Sequence, residues 1–289
     1  MTSLKTFLYR IICGFLLGIS TFAPGFSGSI LAITMGVYAD LVRIMSNPLD
    51  ELRKNSRLLL PILIGGLLSG ILFVLTFQHL FERHQKATLL LFVGLIAGNL
   101  PVIQKEVGRH SFAKRYLVGG LISFAISLAM GLMAIDSVHS AGDGAVVSLL
   151  SIAVSGFAIG AVALVPGMSI SAVLIMLGVY GELITMANAI LRFNFGYLPH
   201  LIAVAACAVL GLVLTSRGIR RFFSVYPGLA NTCVLGFMSG SMLGIFAQSL
   251  FVQQGSSYWM IGLCALVAGL VLSRLFILFG RSMGRLVEE

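Results

Sequence analysis

Residues 14–45, GFLLGISTFAPGFSGSILAITMGVYADLVRIM, return 142 positions later as residues 156–187, GFAIGAVALVPGMSISAVLIMLGVYGELITMA. Without a gap, Gly14, Phe15, Gly18, Pro24, Gly25, Ser27, Ser29, Ile33, Gly36, Val37, Tyr38 and Leu41 meet identical residues. The shared positions are mostly backbone breakers and hydroxyls set in apolar sequence. Duplicated, interrupted apolar segments of this kind point to the binding site of a membrane transporter.

Composition leaves little alternative to a membrane. Of 289 residues, 58% are hydrophobic and only 10% charged, and the mean hydropathy is +1.03. A soluble globular domain does not tolerate that balance. The net charge of +9 does not mark a nucleic-acid binder, because the basic residues sit in short turns between apolar spans, as in cytoplasmic loops. Cys13, Cys207, Cys233 and Cys264 all lie in apolar stretches without metal-ligand spacing and read as packing residues. The histidines fall at span ends or in loops, so neither a metal nor a cofactor is expected. Lys5, Arg10 and the apolar run 11–23 imitate a signal peptide. The same segment recurs internally around 152–165, so it reads as mature structure.

Beyond the motif, apolar spans follow near 58–80, 87–104 and 116–135, and again near 198–216, 229–250 and 258–280. Gly94 and Gly98 meet Gly236 and Gly240 at the same offset, as Phe81 meets Phe223 and Tyr116 meets Tyr258; Gly70 meets Gly211 after one residue of slippage. The chain thus reads as two repeats, 1–138 and 143–289, within one transmembrane domain. Each repeat opens with about 40 residues around its Pro-Gly break, too many for a single pass of ~20 residues. Two passes, or two shorter arms, would return the chain to its starting face.

Charge separates a returning segment from a kinked single pass. With a returning segment, only Arg83, Lys86 and Arg192 fall outside, and the other 16 of the 19 basic residues fall on the cytoplasmic side. A single kinked pass divides them almost evenly. The positive-inside rule therefore favours the return, with both termini cytoplasmic and the second repeat inverted relative to the first. The expected fold is an all-α integral membrane protein of two inverted repeats, each a Pro-Gly-broken re-entrant helical hairpin plus three transmembrane helices.

Pro24-Gly25 and Pro166-Gly167 stop one arm of each hairpin, and Ser27 or Ser169 is placed to cap the next. The first amides of a helix lack intrahelical partners and carry partial positive charge. Two such ends facing each other, with Ser27, Gly28 and Ser29 on one and Ser169 and Ser171 on the other, suit an anionic oxygen group such as phosphate. Tight turns with helix-capping serines would account for either copy alone. Tyr38 and Tyr180 precede Asp40 and Glu182 by two residues, and Arg43 follows Asp40 by three. These five could couple or gate transport. They could equally be belt tyrosines with solvated carboxylates and a snorkelling arginine.

The stretch APGFSGSILAITMGVYADLV, residues 23–42, resembles the PG-x-SGG signature with a following GIY-(D/E)-L of the bacterial polyprenyl-phosphate translocases, long classed as a domain of unknown function. ALVPGMSISAVLIMLGVYGELI, residues 163–184, is similar to it as well. Ser29 stands where a second glycine is usual, and Ile170 replaces the first glycine in the second copy. The resemblance implies a translocase, not an enzyme, that returns undecaprenyl phosphate from the outer to the inner leaflet of the bacterial cytoplasmic membrane. Undecaprenyl phosphate or a related polyprenyl phosphate would be its cargo, membrane lipids its surroundings, and protons or sodium its candidate coupling ions. A channel or secondary transporter for a small soluble anion fits the same residues. Gly25-Phe26-Ser27-Gly28 also matches the GxSG of rhomboid proteases. A serine nucleophile needs a base within reach, and no histidine lies mid-span.

Overall fold

The computed structural model describes residues 4–22, 32, 35–37, 56–109, 114–134, 149–163, 165, 168–252 and 257–288. Among them there is no strand. The helices are α1 (Leu4–Phe22), α2 (Ser56–Arg109), α3 (Lys114–Met133), α4 (Leu149–Ala163), α5 (Ile170–Met176) and α6 (Tyr180–Leu191). A 3₁₀ turn, Phe195–Tyr197, leads into α7 (Leu198–Val225), followed by α8 (Pro227–Phe251) and α9 (Ser257–Glu288).

Among the described residues, six stretches are long and apolar enough to cross a membrane: Leu59–Phe81, Arg83–Lys105, Tyr116–Met133, Phe195–Val225, Pro227–Phe251 and Tyr258–Leu278. Three fall in each half, as the hydropathy predicts. By contrast, α4 has 15 residues and reaches only about 22 Å, short of the ~30 Å hydrocarbon core. The helices α5 and α6 are bent by 115° at their junction and form one broken segment.

The distribution of side chains is that of a protein solvated by lipid. Leu63, Leu67, Leu121, Val213, Met260 and Leu263 are exposed on the outer faces of long helices. Ser69, Ser127, Ser241, Ser249 and Ser273 are buried between helices. Small and hydroxyl residues at helix contacts compensate for the missing hydrophobic drive between helices in lipid. Glycines do the same. A side chain at Gly65 would overlap the Ile11 carbonyl on α1, and one at Gly160 would overlap that of Ala208 on α7. Gly65 and Gly66 therefore serve an internal contact.

Helix α2 is not one rod. His84 has non-helical dihedrals (φ −134°, ψ 48°), and Phe77 stacks on Phe92 at 5.7 Å. Fifteen residues of straight helix would hold them about 22 Å apart, so the chain reverses at His84. Tyr226, 142 residues on, joins α7 to α8 with φ −128° and ψ 56°. The backbone thus repeats the turn at the sequence offset, although the two side chains differ.

Packing across the halves is reciprocal. α1 lies on the first span of α2, and α4 lies on α7. Gly94 and Gly98 on the second span of α2 meet Leu266, Leu270 and Ser273 on α9. Their counterparts Gly236 and Gly240 on α8 meet Gly120, Phe124 and Ser127 on α3. Residues with equivalent neighbours on the last helix of each half, such as Gly120 and Leu266, are thus 146 apart rather than 142. The extra four residues are about one helical turn, so Tyr116 and Tyr258, aligned by sequence, are not packing counterparts.

Candidate functional site

Several residues singled out from sequence lie outside the described residues: Pro24, Gly25, Ser27, Gly28, Ser29, Tyr38, Asp40, Arg43, Pro166 and Gly167. Ser169, Ser171, Tyr180 and Glu182 are described, together with the residues flanking both breaks.

Ser169 is the N-cap of α5, with extended backbone (φ −103°, ψ 126°), but its hydroxyl caps no α5 amide. It lies 3.0 Å from the Ser171 hydroxyl, which donates to the Thr21 carbonyl at 3.3 Å. Ser171 has one hydrogen to give, so Ser169 is the donor within the pair. Tyr180 donates to the Phe22 carbonyl at 2.8 Å. Both acceptors are in the last turn of α1, where carbonyls have no intrahelical partner. The second copy's motif therefore completes the helix that runs into the first copy's Pro24-Gly25. Ser169, Ser171 and Tyr180 are all buried.

The motif carries a further break beyond Pro-Gly. The tyrosine was expected along one continuous second arm, but α5 stops at Met176. Gly178 adopts φ 73°, and the Val179 amide reaches back to the Leu174 carbonyl at 3.1 Å. In the first copy Gly36 has φ 69°, and Val37 bonds to Ala32 at 3.0 Å. This six-to-one bond closing over a left-handed glycine is a Schellman terminus. The duplicated Gly-Val-Tyr thus ends a helix, and its glycine is required because a side chain disfavours that backbone. The Tyr9 hydroxyl donates to the Met35 carbonyl at 2.9 Å and fastens the first copy's turn to α1.

The same turn carries Tyr180 inward, so it is not a belt tyrosine. Its ring meets Phe77 edge-on at 5.1 Å and Phe92 at 6.3 Å. Phe77 also belongs to a ladder in which Phe22, Phe73, Phe77 and Phe81 stack at 5.3–5.4 Å. The spacing of Phe73, Phe77 and Phe81 places them on one helix face, a signal present in the sequence. Glu182 is half-buried in the first turn of α6, where a carboxylate complements the helix dipole.

Ser169, Ser171, Thr21, Phe22 and Tyr180 thus form one hydroxyl-lined junction between the two copies, at the level of their breaks. Its hydroxyls can donate to an oxygen anion, though here they serve carbonyls.

Comparison with known proteins identifies a family. Residues 17–260 match the family described as undecaprenyl phosphate translocase-like. The polyprenyl-phosphate transporter of Staphylococcus aureus (strain NCTC 8325 / PS 47) is 27% identical over 285 residues, covering 97% of each chain. No solved structure matches. Both descriptions are of transport proteins and not of enzymes. A family match covering the Pro-Gly break of both motif copies and five of the six candidate spans places this multi-pass membrane protein in the undecaprenyl phosphate translocase-like family.

Proposed function

We propose that the protein moves undecaprenyl phosphate, or a closely related polyprenyl phosphate, from the outer to the inner leaflet of a bacterial cytoplasmic membrane. The observation that carries this reading is the junction itself, where Ser171 and Tyr180 of the second copy hold the helix end preceding the first copy's break. A phosphate cannot cross hydrocarbon bare, whereas a polyprenyl tail can stay in lipid throughout. The protein need supply only a protected polar station for the head. Ser169 and Ser171, with Ser27 and Ser29 from the other copy, are the proposed donors. Because α5 has only seven residues, the hydroxyls, more than a long helix dipole, would carry the recognition.

The two repeats, 1–138 and 143–289, are taken as inverted, with both termini cytoplasmic. Rocking one against the other would expose the station to each leaflet in turn. The reciprocal packing of Gly94 and Gly98 against α9, and of Gly236 and Gly240 against α3, supports a two-fold arrangement. Protons or sodium are the candidate coupling ions, with Tyr38, Asp40, Arg43, Tyr180 and Glu182 as candidate coupling or gating residues.

The test is leaflet-resolved uptake of undecaprenyl phosphate in proteoliposomes, with and without a pH gradient. Alanine at Ser27, Ser29, Ser169 and Ser171 together is expected to reduce translocation at least about tenfold, the effect of losing one or two hydrogen bonds to a charged group. Unchanged rates with the protein correctly inserted would overturn the assignment. Faster uptake of free phosphate than of the lipid would favour a small-anion transporter.

A further inference from the structure

A cavity of about 400 Å³ lies beside the junction, between α3, α4, α5 and α7. Its walls include Met130, Ala153, Phe157, Ala158, Val173 and Cys207. Among the described residues no charged one lines it, and it opens onto a lipid-facing surface where Val154 and Phe157 are exposed. Its size is at the lower end of small-molecule pockets, ~300–1,000 Å³.

Two observations indicate what occupies it. The first is continuity with the serines. The Val173 amide bonds to the Ser169 carbonyl at 3.2 Å, so Val173 sits one turn along α5 from Ser169, and Leu177 one turn further. Val173 and Leu177 both line the cavity. A molecule whose polar head reaches Ser169 and whose body is apolar therefore runs from the hydroxyls into the cavity.

The second is asymmetry between the copies. At the 142-residue offset Ala153, Ala158 and Val173 stand where the first copy has Ile11, Leu16 and Leu31. Those three positions hold seven fewer side-chain carbons in the second copy. Cys207, opposite Gly65, is the exception. In the first copy, α1 and α2 close directly on each other where Gly65 meets Ile11. In the second copy α4 and α7 close as directly where Gly160 meets Ala208, so the copies differ in the smaller side chains beside that contact.

We propose that this cavity receives the first isoprene units of the polyprenyl chain while Ser169 and Ser171 hold its phosphate. This inference rests on the transport reading above and assigns tail recognition to the second copy alone. Methyl-branched isoprene is broader than a straight acyl chain, and the alanines supply that width. The cavity has room for a few isoprene units, so the rest of the tail stays in the bilayer.

The experiment measures binding of undecaprenyl phosphate and of undecaprenol to the full-length protein in phospholipid nanodiscs, where acyl chains already compete for the groove. Ala153→Ile with Ala158→Leu installs the residues that the first copy carries. This pair is expected to weaken both lipids at least about tenfold, since each excluded methylene loses burial. Ser169→Ala with Ser171→Ala is expected to weaken undecaprenyl phosphate and leave undecaprenol unchanged. If the serine variant behaves so while the cavity variant binds both lipids like wild type, the tail site is wrong and the transport reading stands. If wild type does not prefer undecaprenyl phosphate to undecaprenol, the transport reading falls first. A second measurement needs no substitution: undecaprenyl phosphate bearing a diazirine on its first isoprene units is photolysed on the wild-type protein. Cross-links at residues 153–158, Val173 or Cys207 are expected. Cross-links confined to other helices would overturn the proposal even if the substituted protein failed to fold.

Discussion

Replacing Tyr180 by Phe removes one oxygen atom from the junction and leaves the ring between Phe77 and Phe92. The Phe22 carbonyl then loses the hydroxyl that meets it at 2.8 Å. A buried acceptor left without a donor costs ~1–3 kcal/mol in soluble proteins. Side-chain hydrogen bonds inside membrane proteins average ~0.6 kcal/mol and reach ~1.7. About 1 kcal/mol is therefore expected, roughly a fivefold change in an equilibrium constant. Two readouts should move together. The detergent-solubilised protein should unfold at lower temperature. A cysteine at Ser20, a buried position on α1, should react about fivefold faster with a water-soluble thiol reagent once Cys13, Cys207, Cys233 and Cys264 are replaced. Tyr180→Leu also removes the edge-on aromatic contacts, worth a further ~0.5–1.5 kcal/mol, and should have the larger effect in both assays. If Tyr180→Phe leaves stability and labelling unchanged while Tyr180→Leu alters both, the tyrosine acts by packing alone and its hydroxyl does not hold α1 in place.

Other expectations follow from the backbone and from close packing. Alanine at Gly178, where φ is 73°, should cost about 1–2 kcal/mol, seen as a lower melting temperature. Gly36→Ala should cost a similar amount if the first copy's turn bears the same load. Gly160→Ala forces a methyl against the Ala208 carbonyl and should destabilise by ~1–3 kcal/mol. At Gly218 an added methyl meets nothing within 4 Å, so Gly218→Ala should be neutral or stabilise α7 by up to about 1 kcal/mol. Ser273→Ala removes the 2.9 Å bond from the Asn99 side-chain nitrogen; a loss of ~0.6–1.7 kcal/mol is expected, and Asn99→Leu in that background should restore part of it.

The spans were legible because lipid demands long apolar runs, and their number per half followed from the 142-residue repeat. The reversal between the first two spans was legible from the polar run 82–86 that separates 58–80 from 87–104, though not from a turn residue. At His84 no proline or glycine marks it, and Pro227 after Tyr226 marks it only in the second half. The helix end at Gly178 is legible in principle, since a glycine followed by an apolar residue is the Schellman signature, but that signal is weak in a chain so rich in glycine. Tyr180 was open between a coupling residue and an interfacial one, because a tyrosine two residues before an acid suits either. The 115° bend turns it into the core instead. The roles of Thr21 and Phe22 could not be read, because they act through backbone carbonyls, which every residue has.

The junction also suggests how cargo could drive motion on the transport reading. The Ser169 and Ser171 hydroxyls relay toward Thr21, and Tyr180 satisfies Phe22. A phosphate entering the station would compete for those hydroxyl hydrogens, and charge-assisted bonds are the stronger kind. Ser171 cannot give its single hydrogen to both acceptors. Binding would therefore release the Thr21 carbonyl and loosen the end of α1 just before the first copy's break. A ligand shifts a conformational equilibrium only through contacts that differ between the two states. This exchange would supply such a difference, because one hydroxyl can hold either α1 or the phosphate. Departure of the head group would return the hydrogen to Thr21 and restore the junction. The serines would then serve as helix cap and cargo site by turns, which explains why they are buried without capping α5 itself.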